Sequence, residues 1–372
     1  MFRFLQRRLF ALMIPAMLLC ASALFVQAQA VAPAPLTSQE LVRLVYQFHD
    51  YPQKREEIIG EIRQRGLGFP LTNGLRSVVA SKSGNDIALR RTIEEAERRR
   101  LNPTSARPPS ETETADILAK ARTASLAAVE AMPDFVVKQL ITRFYAHGNT
   151  QNWRSLDRLT LAVSYRASTN AENYKLLAIN GLPPGADESA NKNFQDQVGG
   201  TTSTGEYVSL LSQLFAEDSR TSFKAIDTDT LRNRRTLVYE FEVKLPYSKE
   251  VIKAGTRVSD VSTRVGYRGK LWIDRENYRV LRIETIATDI PAGFPVTAAS
   301  RAIDYDWTSI AERQYLLPSR AEVILTARYE GREEQTRNQI RFRDYNRFGA
   351  ELKILDDDEQ IEDQTAPKKI KP

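Results

Sequence analysis

The spacing of apolar residues changes along the chain. Between Thr37 and Arg99 they recur three and four apart: Leu41, Leu44, Val45 and Phe48, then Ile58, Ile59 and Ile62. That spacing places them on one side of a helix. Thr37 and Glu40 stand at capping-box spacing, Pro52 interrupts, and Gly66 and Gly68 stop the second helix. Phe69 to Ala80 and Ile87 to Arg99 read as two more helices, so 37–100 is predicted to be a small bundle. Residues 101–114 (LNPTSARPPSETET) hold Pro103, Pro108 and Pro109 and no apolar period, and are predicted to be a linker. An alanine-rich helix follows over about 115–131, with Ile117, Leu118, Ala121, Leu126 and Val129 as its stripe and Pro133 as its stop.

Beyond it the period falls to two. Phe135 to Tyr145 fits either period; its β-branched and aromatic content predicts a strand. Leu159, Leu161, Val163 and Tyr165 alternate with polar residues, Glu172 to Asn180 continues, and Asn180-Gly181 turns the chain. Ser203 and Glu206 form a second capping-box pair ahead of Tyr207, Leu210, Leu211, Leu214 and Phe215, which predicts an amphipathic helix over 203–216. Strands are then predicted at Phe223–Ile226, Thr236–Leu245, the hairpin 265–288 about its corner Asp274-Arg275-Glu276-Asn277, Ala302–Thr308, Pro318–Tyr329 and Gln335–Phe348. In the hairpin Val265, Tyr267, Leu271, Ile273, Leu281 and Ile283 form a dry face, and Arg268, Lys270, Trp272, Arg282 and Glu284 a wet one. These are about eight or nine antiparallel strands with few helices to cover them. The expected fold class is α+β: a large curved antiparallel sheet, a half-barrel, with helices on its concave face, preceded by a small N-terminal helical bundle. The expected organisation is 1–30 leader, 31–100 helical domain, 101–114 linker, 115–355 half-barrel domain and 356–372 a disordered charged tail.

Composition refines this picture. The first 30 residues carry Arg3, Arg7 and Arg8, an apolar run from Leu9 to Val26 and the small-residue site Ala28-Gln29-Ala30, the three parts of a secretory signal with a cut expected after Ala30. The alternative is an uncleaved anchor. The protein is therefore expected to be periplasmic or secreted, with membrane association at most peripheral after cleavage. Cys20 is the only cysteine and lies in the leader, so the mature chain has no disulfide, thiolate ligand or cysteine nucleophile. Of the net charge of +6, three positives belong to the leader; the remainder is too small and dispersed for nucleic acid.

The chain holds few chemical motifs. His49 and His147 fall in different predicted domains and neither has a metalloprotease context. No GxSxG elbow occurs. The Gly199–Glu206 stretch lacks the lysine of a phosphate loop and reads as a helix cap. Asp227, Asp229, Asp304 and Asp306 pair at i, i+2 without a calcium-loop sequence, and read as solvated or turn residues. Arg98-Arg99-Arg100 reads as a solvated helix end complementing the carbonyl terminus, against a basic contact patch. Trp272 is expected to be an exposed contact residue on the charged face. No catalytic residue, metal or cofactor is expected.

The run Gly269-Lys270-Leu271-Trp272-Ile273-Asp274, its polar corner and Val280-Leu281-Arg282-Ile283-Glu284 resemble a hairpin of the bacterial outer-membrane lipoprotein-sorting and carrier-like proteins, over about residues 133–350. The resemblance implies a bent half-barrel with helices lodged in its concavity, which buries acyl chains without catalysis. It also implies that Leu237, Tyr239, Phe241, Leu271, Ile283, Val323 and Leu325 line that concavity, with Tyr207, Leu210, Leu211 and Leu214 on a lid helix. The expected function is that of an exported envelope protein binding a lipid or lipidated partner. The alternative is a periplasmic scaffold with a fully packed core, binding a protein partner through 37–100. A hydrolase with dispersed catalytic residues is the least favoured class.

Overall fold

The computed structural model describes residues 33–101, 103, 109–148, 150, 152–169, 171–184, 209–255, 260–329 and 331–348. The leader, Gly199–Glu206, Tyr207 and the charged tail lie outside them.

Four helices come first: α1 (Ser38–Asp50), α2 (Arg55–Arg65), α3 (Asn73–Lys82) and α4 (Ile87–Leu101). The capping box forms as the sequence implies. Glu40 N–H donates to the Thr37 hydroxyl at 3.2 Å, and the Glu40 carboxylate accepts from Thr37 N–H at 2.8 Å. Leu41, Leu44, Val45, Ile58, Ile59, Ile62, Leu89 and Ile93 then bury against one another in a core separate from that of the sheet. The fifth helix, α5 (Glu111–Glu130), starts earlier than its alanine-rich run suggests, because Ser110 caps it by accepting from Glu113 N–H at 3.1 Å.

Among the described residues twelve strands follow: β1 (Phe135–His147), β2 (Arg154–Arg166), β3 (Ala171–Ile179), β4 (Ser222–Leu231), β5 (Arg234–Val243), β6 (Val251–Gly255), β7 (Asp260–Arg264), β8 (Gly266–Asp274), β9 (Val280–Thr288), β10 (Val296–Ile310), β11 (Arg313–Tyr329) and β12 (Arg332–Arg347). A short helix α6 (Ser209–Phe215) precedes β4. Among the described residues ten strands form one open antiparallel sheet in the order β3-β2-β1-β12-β11-β10-β9-β8-β5-β4, and β6 and β7 form a separate ribbon. β2 and β5 lie seven strands apart, roughly 34 Å at the usual spacing in a flat sheet. Yet Leu161 and Val163 of β2 share one buried cluster with Leu237 and Tyr239 of β5, around α5 and α6. The sheet must curl to bring them there, and the helices fill its inside. The fold is α+β, a half-barrel over its own helices.

Three expectations are corrected. The ribbon β6–β7 was not anticipated: its five-residue strands are too short to show a period, and it covers Val265 and Val296 in a small satellite cluster rather than the main core. β4 runs to Leu231 rather than stopping at Ile226, because its second half is threonine and aspartate and lacks apolar alternation. Leu281 faces outward. A bulge lies between the pairs Trp272–Arg282 and Ile273–Val280, so Leu281 joins Trp272 and Val238 on the outer face while Val280 and Ile283 point inward.

At the hairpin corner the Asp274 carboxylate accepts from Glu276 N–H at 2.8 Å and pairs with Arg234. Burial raises its pKa, but Arg234 and the two turn amides outweigh burial and hold it below the ordinary value.

Two predictions follow from local geometry. An added Cβ at Gly269 would run into the Glu284 carbonyl of β9 and lie 3.0 Å from the Phe241 ring, whereas at Gly60 in α2 it would meet nothing within 4 Å. Gly269→Ala is expected to cost more than about 3 kcal/mol in urea unfolding, and Gly60→Ala to add about 0.5–1 kcal/mol. Glu40 is held at about 2 by the Thr37 amide, then Arg65, then the Thr37 hydroxyl. Its folded value lies below the unfolded one of about 4.3. Its contribution is therefore complete above that pH and is lost as pH falls towards 2. Glu40→Gln should flatten that part of the acid-unfolding profile followed by helical circular dichroism.

Candidate functional site

The inward wall is built from alternate residues of the central strands. Leu237, Tyr239, Phe241, Leu271 and Ile283 are all within 3% of full burial and belong to one cluster; Val323 is buried with them and Leu325 is half-buried at its margin. The expected wall residues are therefore brought together. α5 lies against this wall with Ile117, Ala121 and Ser125 as its buried positions, and Leu118, Leu126 and Val129 half-buried. Leu210, Leu214 and Phe215 of α6 are buried as completely as the wall, with Leu211 beside them. Phe215 stacks on Phe223, which leads to Phe241 and Tyr267 through ring contacts of 5.7, 6.4 and 6.1 Å. Thr221 and Ser219 donate to the Leu214 and Ala216 carbonyls, both at 2.7 Å, and hold the end of α6.

α5 is fastened differently, by polar contacts. Tyr239 Oη donates to the Thr114 carbonyl at 2.8 Å, and Arg122 donates to the Phe215 carbonyl at 2.7 Å. Arg275 pairs with Glu113, and Arg279 donates to the Ala124 carbonyl. Both arginines come from the corner of the 265–288 hairpin. Burial pushes the Tyr239 hydroxyl well above the ordinary tyrosine value, so it remains a donor. Between α5, α6 and the wall lies a cavity of about 30 Å³, lined by Val129, Met132, Leu211, Val280, Tyr305 and Leu316 with Arg279 at its rim. That holds a water molecule or two and no acyl chain.

The outer face departs most from expectation. Trp272 is 1% exposed, not a free contact residue. Its indole N–H donates to Asp229 at 2.8 Å, and the Arg91 guanidinium lies 5.3 Å from its ring centre and 3.1 Å from the same carboxylate. Asp227, expected to be solvated, pairs with Arg99 and with Arg63 at 3.2 Å. Glu95 of α4 accepts from the Thr228 and Thr230 hydroxyls at 3.0 and 3.2 Å and pairs with Arg98. Arg99 also donates to the Thr228 carbonyl at 2.9 Å, which occupies an edge group of β4 that a foreign strand would otherwise use. Of the 98–100 arginines, Arg99 is thus an internal contact residue, while Arg98 and Arg100 pair with Glu95 and Glu97 of their own helix. The helical bundle sits on the charged face of β4, β5, β8 and β9, and a cavity of about 10 Å³ lies within the network.

Burial is the main cause of both shifts in the central pair, raising the Asp229 carboxyl and lowering Arg91; each opposes the other's shift. Glu284 is also raised by burial, but Arg282, Arg91 and Arg55 outweigh it and lower its pKa. A buried pair of this kind adds little net stability when intact and costs much when broken.

His49 meets the Lys82 carbonyl at 3.1 Å and His147 lies exposed at the end of β1. Among the described residues no group of three or more histidine, cysteine, aspartate or glutamate side chains is placed to hold a metal. No helix among them is long and apolar enough to cross a membrane.

No protein-family model matches the sequence, and no curated protein matches it. Among solved structures, a LolA superfamily protein from Nitrosomonas europaea aligns over 62% of this chain and 94% of its own, at 11% identity and a TM-score of 0.25. A DUF1329 family protein from Desulfovibrio piger covers 63% and 95%, at 10% identity and 0.27. The MucA/MucB complex of Pseudomonas aeruginosa covers 60% and 94%, at 8% and 0.16. The lipoprotein-sorting resemblance of the 269–284 hairpin is thus met by a LolA superfamily neighbour. At such identities and TM-scores the likeness carries nothing about ligand or partner.

Replacing Asp229 by Ala would leave Arg91 and the Trp272 indole without their acceptor inside the interface. The expected loss is about 3–5 kcal/mol in urea unfolding, with earlier proteolysis in 101–110. Asp229→Asn keeps an oxygen for Trp272 and should lose less; equal losses would assign the effect to packing instead.

Proposed function

We propose that this is a non-catalytic binding protein of the cell envelope whose half-barrel accepts an acyl chain, from a lipid or a lipidated protein, when α5 leaves the concavity. The observation that carries the reading is the mismatch between α5 and the surface it covers. The wall is made of leucine, isoleucine and aromatic side chains, while α5 buries only Ile117, Ala121 and Ser125 against it, leaves Leu118, Leu126 and Val129 half-buried, and is tethered by polar contacts. An acyl chain complements such a wall better. Twelve carbons bury about 10 kcal/mol of apolar surface before ordering costs. The exchangeable element in this reading is α5 rather than the 203–216 helix, because Leu210, Leu214 and Phe215 are part of the packed core. The signal-like first 30 residues support the envelope setting.

A second reading has its own observation. The cavity between the two helices and the wall measures about 30 Å³, which suits a scaffold that binds by its surfaces.

Tyr239→Phe combined with Arg275→Ala removes two tethers of α5 without changing the apolar lining. A fluorescent long-chain fatty acid should bind this variant at least about tenfold more tightly than the parent, a gain of about 1.4 kcal/mol. Organic extraction of the protein purified from its host should yield a bound lipid. A variant that folds but binds no better than the parent, together with a lipid-free extract, would leave the scaffold reading.

A further inference from the structure

The bundle covers one half of the outer face, and the other half carries a cluster of cations whose neighbouring acids are paired elsewhere. One register row crosses the sheet through Val238, Trp272, Arg282, Asp304, Arg320, Arg341, Leu140 and Thr160. Charges alternate along it at Arg282, Asp304 and Arg320, as they do in the adjacent row at Glu240, Lys270 and Glu284. At Arg341 the alternation fails: two arginines stand directly opposite each other, with Cβ atoms about 5 Å apart, an arrangement that is destabilising without an anion. Arg343 lies two residues further along the same side of β12, and its row passes through Lys138 and Ala162 to Lys175.

Among the described residues Arg320, Arg341, Arg343 and Lys175 make no ion pair, while the acids around them are already engaged. Asp304 pairs with Arg282 at 2.7 Å, Glu322 with Arg337, and Asp344 with Lys138 at 3.1 Å. Burial, followed by the charges of Arg320 and Arg343, lowers the pKa of Arg341. Arg320, Arg343 and Lys175 are exposed.

We propose that this uncovered half of the outer face docks on a bilayer surface, with Arg320, Arg341 and Arg343 as the centre that takes the phosphates of anionic phospholipids. Guanidinium forks match phosphate oxygens in pairs. The cations span five strands, β11 to β3, about 19 Å at sheet spacing, too wide for one small anion and suited to a distributed charge. A peptide is disfavoured because β11, β12 and β1 are interior strands with no free edge to extend, and because the surface curves outward instead of forming a groove. The inference is independent of what the concavity holds.

The full chain, unmodified and as Arg320→Gln/Arg341→Gln/Arg343→Gln, would be sedimented with vesicles of neutral phosphatidylcholine alone or with 30 mol% phosphatidylglycerol. The parent should partition preferentially to the anionic vesicles, and the preference should collapse in 0.5 M salt. The triple variant should lose about two orders of magnitude of that preference, at about 1 kcal/mol per arginine near the surface. Its Tm should be unchanged or raised, since like-charge opposition is relieved, which separates loss of binding from loss of fold. Comparing the parent with the triple variant on the same vesicles cancels the contribution of the leader, whose apolar run and Arg3, Arg7 and Arg8 are common to both. An unchanged preference in the triple variant overturns the proposal. So does an arginine-dependent response to 10 mM inorganic phosphate or to poly-glutamate without vesicle binding, which would assign the cluster to a free anion or to an acidic chain.

Discussion

The buried carboxylate of Asp229 is where the two parts of the molecule meet, and much of the architecture follows from its needs. It accepts the Trp272 indole from the centre of the sheet, faces Arg91 from α4, and takes the amide of Thr230 within its own strand. A carboxylate removed from water is tolerated only when its acceptor sites are filled. The two donors and the paired guanidinium come from three elements, so the bundle has one orientation in which all are present. Around this point the Arg99–Asp227 and Glu95–threonine contacts repeat the logic. The interface is specified by polar geometry more than by apolar area: the bundle keeps its own core, and the sheet keeps the larger one on its other side.

That division explains what could be read in the sequence. Alternation assigned the faces of β5 and β8 correctly, so Leu237, Tyr239, Phe241 and Leu271 fall on the inner wall as expected. The error lay in equating the polar face with solvent. Trp272 falls on the expected side, whereas Asp227 and Asp229 read as solvated or turn residues and the 98–100 arginines as a helix end; periodicity within one strand cannot show that a distant helix covers it. A signal did exist: Arg91, Arg98 and Arg99 on α4 complement the Asp-Thr-Asp-Thr run 227–230. Pairing them requires knowing that α4 crosses β4. Leu281 illustrates a different limit. A single bulge reverses the face of one residue, and a bulge leaves no mark on hydrophobic periodicity. β6 and β7 were missed for want of length.

The two helices inside the half-barrel are not equivalent, and the difference is chemical. α6 enters as large apolar side chains within an aromatic ladder, so removing it would open voids that cost several kcal/mol. α5 presents Ile117, Ala121 and Ser125 at its buried positions, with Leu118, Leu126 and Val129 half-buried, and is also tethered through main-chain carbonyls and one glutamate. Contacts of that kind exchange with water at little net cost. In the proposed reading α6 is the permanent filler and α5 the replaceable one, and the cavity lies between the two and the wall.

The 265–288 hairpin joins these properties. Its inward residues Leu271 and Ile283 belong to the wall, its outward residues Trp272 and Arg282 to the docked face, and Arg275 and Arg279 at its corner to the tethers of α5. The corner itself is fixed by Asp274, which binds its own turn amides and Arg234 of β5. The inner cover is therefore fastened to the same two strands that carry the outer one. A rearrangement that withdrew Arg275 and Arg279 from α5 would pull on the strand pair that seats Trp272, whereas breaking the α5 contacts alone would leave that pair in place. The less disruptive way to open the concavity is thus for α5 to leave while the hairpin stays. This outcome follows from the tethers' ending on α5 carbonyls and Glu113, groups that water can satisfy once the helix has moved.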